Sequence, residues 1–204
     1  VARVSEHRTG AKGQRRREEI LEVATALFTT QGYEATTTQD LADVLGVRKG
    51  SMYYYFASKE ELLFEVLLRN HEELHCHVAG AVGAVGIEGL DAIRTFVTEH
   101  VLFVLGHRAV SSLYADEVRV VRVVPPWWAA LTSERGRHER LLLRLIKRAQ
   151  ANREIISDLD ATLTARAFLA IANAPLRWFH PSGRYRPETV AKHHADLALR
   201  SLRP

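Results

Sequence analysis

Arg48, Lys49, Ser51 and Tyr54 stand close together in the chain, and they are residue types that hold phosphate oxygens and read base edges. They fall on the exposed side of a short predicted helix, Arg48 to Phe56. A second group, His71, Glu72 and His75, spells H-E-x-x-H. On a helix that spacing puts two imidazoles on one face with a carboxylate beside them, which taken alone is the pattern of a zinc hydrolase. Cys76 and His77 add further metal-binding types, though off the face that His71 and His75 share. The two groups imply different chemistries, nucleic-acid binding and metal-dependent hydrolysis, and the elements that carry them decide between the two.

The first group sits in a well-punctuated stretch. Thr37 and Asp40 are spaced as a capping box that opens a helix. Leu41, Val44 and Leu45 form its buried stripe, and Gly46 supplies the left-handed residue that ends it. Ser58 and Glu61 repeat the capping spacing and open a longer helix through Leu62, Leu63, Val66 and Leu67. Upstream, Ile20, Ala24, Leu27 and Phe28 recur at helical spacing, so a first helix is expected from Gln14 or Arg15 to Gly32. Glu18 and Glu19 lie near its start, where the helix dipole favours negative charge. Residues 14–57 therefore read as a three-helix unit with a helix-turn-helix, which binds double-stranded DNA. The H-E-x-x-H group lies on the helix leaving that unit, with no third ligand or substrate groove apparent. The reading is a DNA-binding protein and not an enzyme, with no cofactor and no assigned metal; a structural or regulatory ion on His71 and His75 is the alternative.

Composition agrees. The net charge of +4 over 204 residues excludes a general polycation, and positive charge gathers instead near the start, at Arg3, Arg8, Lys12, Arg15, Arg16 and Arg17. Residues 1–13 read as a flexible basic arm, either tracking DNA or merely solvated. A single cysteine excludes an intrachain disulfide. No stretch reads as a signal peptide or spans a bilayer, so a cytoplasmic chain with no membrane partner is expected.

Residues 58–204 remain helical in pattern, giving an all-α fold with a larger C-terminal domain. Residues 79–89 are glycine-rich and read as a connector. Ile93, Phe96, Val97, Val101, Val104 and Leu105 mark a mostly buried helix. Residues 118–124 are β-branched but have no pairing partner, so a strand there is rejected. Helices are expected from Trp127 to Ala151, from Leu163 to Trp178 and from Pro187 to Leu202. One recognition helix reads few base pairs, whereas a two-fold homodimer reads both halves of an inverted repeat.

The stretch GYEATTTQDLADVLGVRKGSMYYYFASKEELL closely resembles the signature of TetR-family transcriptional regulators, matching at Phe28, Gly32, Tyr33, Thr36, Thr37, Asp40, Gly46, Lys49, Gly50, Ser51, Tyr53, Tyr55, Phe56, Ser58, Lys59 and Glu61 among others. Arg48 departs from the pattern, standing where the family has a serine cap. The resemblance implies phosphate contacts from Thr37, Tyr53, Tyr55 and Lys59, and base contacts from Lys49, Ser51 and Tyr54, with Arg48 an added cation. It also implies a dimer built by the last two helices and an effector pocket in the C-terminal domain. Phe96, His100, Phe103, His107, Tyr114, Trp127, Trp128, Arg177, Trp178 and Phe179 are the pocket candidates, though for any one of them an ordinary core place is the stronger reading. Asn173, Arg177, Trp178, Pro181, Gly183 and Leu202 resemble the C-terminal segment of TetR-family repressors of fatty-acid and steroid catabolism; Ala174 and Ser201 depart from it. That likeness implies a small hydrophobic effector, an acyl-CoA thioester, with aromatic drugs the alternative. The expected activity is DNA binding released by the effector.

Overall fold

The structure is a computed structural model that describes residues 10–84 and 86–202. Among them every regular element is helical: α1 (Ala11–Thr30), α2 (Thr38–Val44), α3 (Lys49–Met52), α4 (Lys59–Val82), α5 (Gly89–Gly106), α6 (Arg108–Arg122), α7 (Pro125–Ala151), α8 (Ala161–Asn173), α9 (Pro175–Trp178) and α10 (Pro187–Arg200). The all-α expectation holds, and residues 118–122 are helical as the missing strand partner required.

Packing groups the chain into two compact units. One holds the described residues up to Asn70 together with Ala109–Leu131; the other holds His71–Arg108 and the chain from Thr132 onward. The functional division expected after residue 57 is thus not a division of packing, because the first part of α4, α6 and the start of α7 share a core with the first three helices. Ile20, Phe28, Leu41, Met52, Leu62 and Leu67 are fully buried there with Leu131, and Leu113 and Val121 belong to the same cluster. Burying apolar side chains at about 1.5–3 kcal/mol each is what holds such a small unit together.

In the second unit α10 packs along α5, with α8 and α9 beside α5. Ile93, Phe96, Leu142, Ile146, Ala165 and Ala195 are buried in its core. Asp196 on α10 joins α5 through Arg94 and accepts from Lys192 at 2.6 Å. The Lys192 hydrogen bond, followed by that of Arg94, holds the Asp196 carboxyl down at about 2. Gly89 begins α5 at φ +57°, where an added Cβ would strike the Glu154 carboxylate. That carboxylate accepts from the Leu90 N–H at 3.1 Å, and it is the left-handed φ that favours glycine here.

Several helix boundaries differ from expectation, and three of them bear on the site. Helix α1 begins at Ala11 rather than at Gln14 or Arg15, so Lys12 is helical and the end of the predicted flexible arm is ordered; Arg3 and Arg8 lie outside the described residues. Helix α3 stops at Met52 instead of running to Phe56. The helix expected from Leu163 to Trp178 is broken at Ala174, because Pro175 has no N–H to continue the ladder and instead starts α9.

Candidate functional site

The reader is assembled by local rules. Thr37 caps α2: its Oγ1 accepts from the Asp40 N–H at 3.2 Å, while Asp40 Oδ2 accepts from the Thr37 N–H at 2.7 Å. The backbone bond from Thr37, then its hydroxyl, pulls the Asp40 carboxyl below its ordinary value. Gly46 turns the chain at φ +63°. Arg48 stands at the N-cap of α3 in extended conformation and makes no side-chain cap. Without the serine, the start of the helix is closed by the backbone, with Ser51 N–H donating to Arg48 O at 2.8 Å. The three tyrosines that follow lose rotamer freedom in a helix, and the chain leaves α3 through turn bonds from Tyr55 and Phe56 to Met52 O, both 3.0 Å.

Arg48, Lys49, Ser51, Tyr53 and Tyr54 are all exposed, with Tyr54 at 59 %. Met52 and Phe56 point the other way into the core. Tyr54 meets Tyr55 edge to face at 5.1 Å between centroids, and the Tyr53 hydroxyl lies 3.5 Å from that of Thr38. Thr37 is exposed. A cleft of about 720 Å³ brings the start of α1 beside this surface, lined by Lys12, Arg15, Arg16, Glu19, Tyr54 and Tyr55 with Gly10 and Gly13. The α1 cations divide by role. Arg16 is paired with Glu19 at 2.6 Å and donates to Leu45 O at 3.2 Å. Arg17 is paired with Glu65 at 2.6 Å and lies 4.6 Å over the Phe56 ring. Lys12 and Arg15 reach solvent, Arg15 with the Glu19 carboxylate 3.6 Å away. Sequence reading counted all of them as one basic cluster and did not see that Tyr54 and Tyr55 share a wall with Lys12 and Arg15.

Lys59 is held inside the unit. Its Nζ donates to the carbonyls of Tyr33 and Thr36, each at 3.0 Å, and lies 4.3 Å over the Tyr33 ring. Burial, then the charge of Glu60, raises the Tyr33 hydroxyl well above its ordinary pKa. The α4 start is capped by Ser58, which accepts from Glu61 N–H at 3.1 Å, while the Glu61 carboxylate accepts from Ala57 N–H.

The ten effector-pocket candidates are not brought together. Phe96, His100, Phe103 and Phe179 are buried in the second unit. Tyr114, Trp127 and Trp128 are half-buried against the core of the first, where Trp127 stacks on Phe64 at 5.4 Å. His107 is exposed at the end of α5, stacked on Phe103, with its Nδ1 donating to Phe103 O. Arg177 is exposed, and Trp178 is 51 % exposed and stacked on His194. Trp178, Tyr185, Val190, His193, His194 and Leu197 line an apolar groove of about 460 Å³ with Thr189.

What the second unit does bury is a polar cluster that sequence reading found only in part. His75 on α4, His100 on α5 and His138 on α7 are 6 %, 2 % and 6 % exposed. Their rings are neighbours, His75 to His138 at 5.8 Å and His100 to His138 at 5.1 Å. Burial holds His100 down at about 4 and His138 at about 2, with the neighbouring imidazoles adding to the effect on His138. His138 was missed because its helix looks arginine-rich, yet it shares the buried stripe of Leu131, Leu142, Ile146 and Ala149 at helical spacing. Cys76 is exposed and His77 pairs with Glu99 at 2.8 Å. Among the described residues no group of three or more His, Cys, Asp or Glu side chains is disposed to hold a metal ion, and no helix is long and apolar enough to cross a membrane.

Two family patterns match this chain: that of the bacterial regulatory proteins of the tetR family over residues 20–66, and that of the tetracyclin repressor-like C-terminal domain over residues 86–202. The HTH-type transcriptional repressor KstR2 of Rhodococcus jostii is 30% identical over 191 residues, covering 92% of this chain and 91% of that protein. Among solved structures, the ketosteroid transcriptional regulator KstR2 of Mycobacterium tuberculosis superposes with a TM-score of 0.77 at 25% identity, covering 93% of this chain and 95% of that one. AibR, solved in complex with isovaleryl coenzyme A and operator DNA, has the same fold, with a TM-score of 0.76 at 22% identity over 89% of this chain and 97% of its own. The chain belongs to the TetR family of transcriptional regulators and is a DNA-binding regulator, not an enzyme.

Proposed function

We propose that this regulator is a repressor that binds an inverted-repeat operator as a homodimer and is released by a small hydrophobic effector, an acyl-CoA thioester. The observation that carries the DNA half is the exposed set Arg48, Lys49, Ser51 and Tyr54, on α3 and just flanking it, with Met52 of α3 buried on the other side. Lys49, Ser51 and Tyr54 serve as the base-reading residues, Arg48 as an added cation, and Thr37, Tyr53, Tyr55 and Lys59 as the phosphate side, with Lys12 and Arg15 extending the positive rim. Repression agrees with the KstR2 relative, which is a transcriptional repressor.

Trp178, Tyr185 and Leu197 stay about half exposed on one groove, an apolar surface that a second copy would cover. The acyl-CoA reading is supported by the C-terminal segment Asn173 to Gly183 and by AibR, whose structure holds isovaleryl coenzyme A. Effector binding among α4, α5, α7 and α8 is transmitted by α4, the helix that carries His75 and also opens beside the reader at Lys59. A coupling of about 1–3 kcal/mol is enough for a 5- to 150-fold loss of operator affinity. The protein acts in the cytoplasm, where its DNA is. The test is selection of bound duplexes from a random library followed by titration with octanoyl-CoA. Recovery of a palindromic site that the thioester releases is the expected result; a site indifferent to every acyl-CoA tried would overturn the effector reading.

A further inference from the structure

Hydrogen-bond chemistry fixes where each proton sits in the buried histidine cluster. Asn173 Nδ2 donates to Leu169 O at 2.8 Å, and because a backbone carbonyl only accepts, this orients the amide. Asn173 Oδ1 is then an acceptor, 3.3 Å from His100 Nε2, so that nitrogen carries the hydrogen. His100 is neutral, since burial holds its pKa at about 4. Its one proton is therefore on Nε2, and Nδ1 is a bare lone pair. His138 Nε2 lies 3.0 Å from that lone pair and must be the donor. His138 is neutral as well, so its Nδ1 is bare in turn.

The relay thus ends in a buried acceptor. Among the described residues no protein group hydrogen-bonds to His138 Nδ1, and His75 Nδ1 is in the same position. The surroundings are apolar: the Phe96 ring lies 4.7 Å from that of His138, and Val97, Leu142 and Ile146 belong to the same core. A buried polar atom left without a partner is costly and rare in folded proteins. A metal ion would use such lone pairs, but among the described residues no ligand set of three is disposed around one. A ketone or thioester oxygen has no proton to give. The group that fits is a hydrogen-bond donor, and on the apolar part of an effector that donor is an alcohol.

We propose that His138 Nδ1 receives the hydroxyl of the effector, which is an apolar molecule carrying an O–H donor; within the effector reading above, on which this rests, the ligand is a hydroxyacyl thioester. Asn173 and His100 are positioning residues, since they set the tautomer that makes His138 an acceptor. The relay predicts that a hydroxyl binds in preference to a ketone at the same carbon, a distinction that shape alone makes poorly.

Two measurements test this. Nitrogen-15 spectra of the imidazoles in the intact protein report the tautomer directly: His138 Nδ1 is expected to be unprotonated, and a protonated Nδ1 would overturn the proposal. Calorimetric titration then compares 3-hydroxyoctanoyl-CoA, 3-oxooctanoyl-CoA and octanoyl-CoA. The hydroxy compound should bind on the order of tenfold more tightly than either of the others, the worth of one hydrogen bond. That preference should vanish in His138→Phe, and it should shrink in Asn173→Ala, which alters an exposed position and keeps the protein folded should the first variant fail. Equal binding of all three thioesters overturns the hydroxyl anchor and leaves the acyl-CoA reading standing. Binding of none overturns that reading and the anchor with it.

Discussion

Lys59 Nζ stands 3.0 Å from the carbonyl oxygen of Thr36, the residue just before the α2 cap, so the first side chain of α4 fastens the loop that precedes the reader. Its second bond, to Tyr33 O, fastens the turn after α1. Lys59→Ala should therefore cost stability as well as DNA affinity, about 1–3 kcal/mol by the loss of a charged donor to two carbonyls. Affinity should fall evenly across DNA sequences, with the salt slope reduced by about one. Denaturant melts and anisotropy over a salt series check both. An unchanged salt slope would leave Lys59 a fastening residue with no phosphate role.

Tyr54 is the converse case, exposed and outside the core. Tyr54→Ala should leave stability within about 0.5 kcal/mol, as surface changes generally do, while changing which half-sites are selected from a random library. A uniform loss of affinity with unchanged base preference would make it a backbone contact.

The cap of α2 has its own signature. Thr37→Ala removes the acceptor for the Asp40 N–H and should cost about 0.5–2 kcal/mol in a urea melt. Thr37→Ser keeps the hydroxyl and should restore most of it.

These predictions rest on features legible in the sequence, because capping boxes and Gly46 act through neighbours a few residues away. The length of α3 was not legible, since its end at Met52 is made by the turn bonds from Tyr55 and Phe56 to Met52 O rather than by any residue that stops a helix. The fate of Trp127, Trp128 and Tyr114 was hidden for a different reason. Their size says that they pack somewhere, but not against what, and only long-range packing sets them half-buried against the core of the first unit. His138 was legible by its place on a buried stripe and obscured by the arginines around it.

Acid should weaken the second unit. His100 and His138 are neutral in the folded chain with pKa values held at about 4 and about 2, against about 6.5 when unfolded. Between those values the unfolded chain binds more protons than the folded one, so stability is full above about pH 6.5 and declines as pH falls below it. Thermal melts from pH 7.5 to 5 should show the decline, and His138→Phe should flatten it. A melting temperature independent of pH over that range would contradict the buried, neutral cluster.

The apolar groove on α10 predicts its own disruption. Leu197→Glu with Trp178→Arg should convert a dimer into monomers by sedimentation velocity and abolish operator binding, while helical content is unchanged. Retention of the dimer would move the interface elsewhere.

The most direct measurement is native mass spectrometry of the protein with a duplex recovered by selection, before and after adding an acyl-CoA. The account predicts two chains on a palindromic duplex and their release from the DNA as a dimer carrying the thioester. A single chain on a non-palindromic site, or a stable complex of protein, DNA and thioester together, would contradict it.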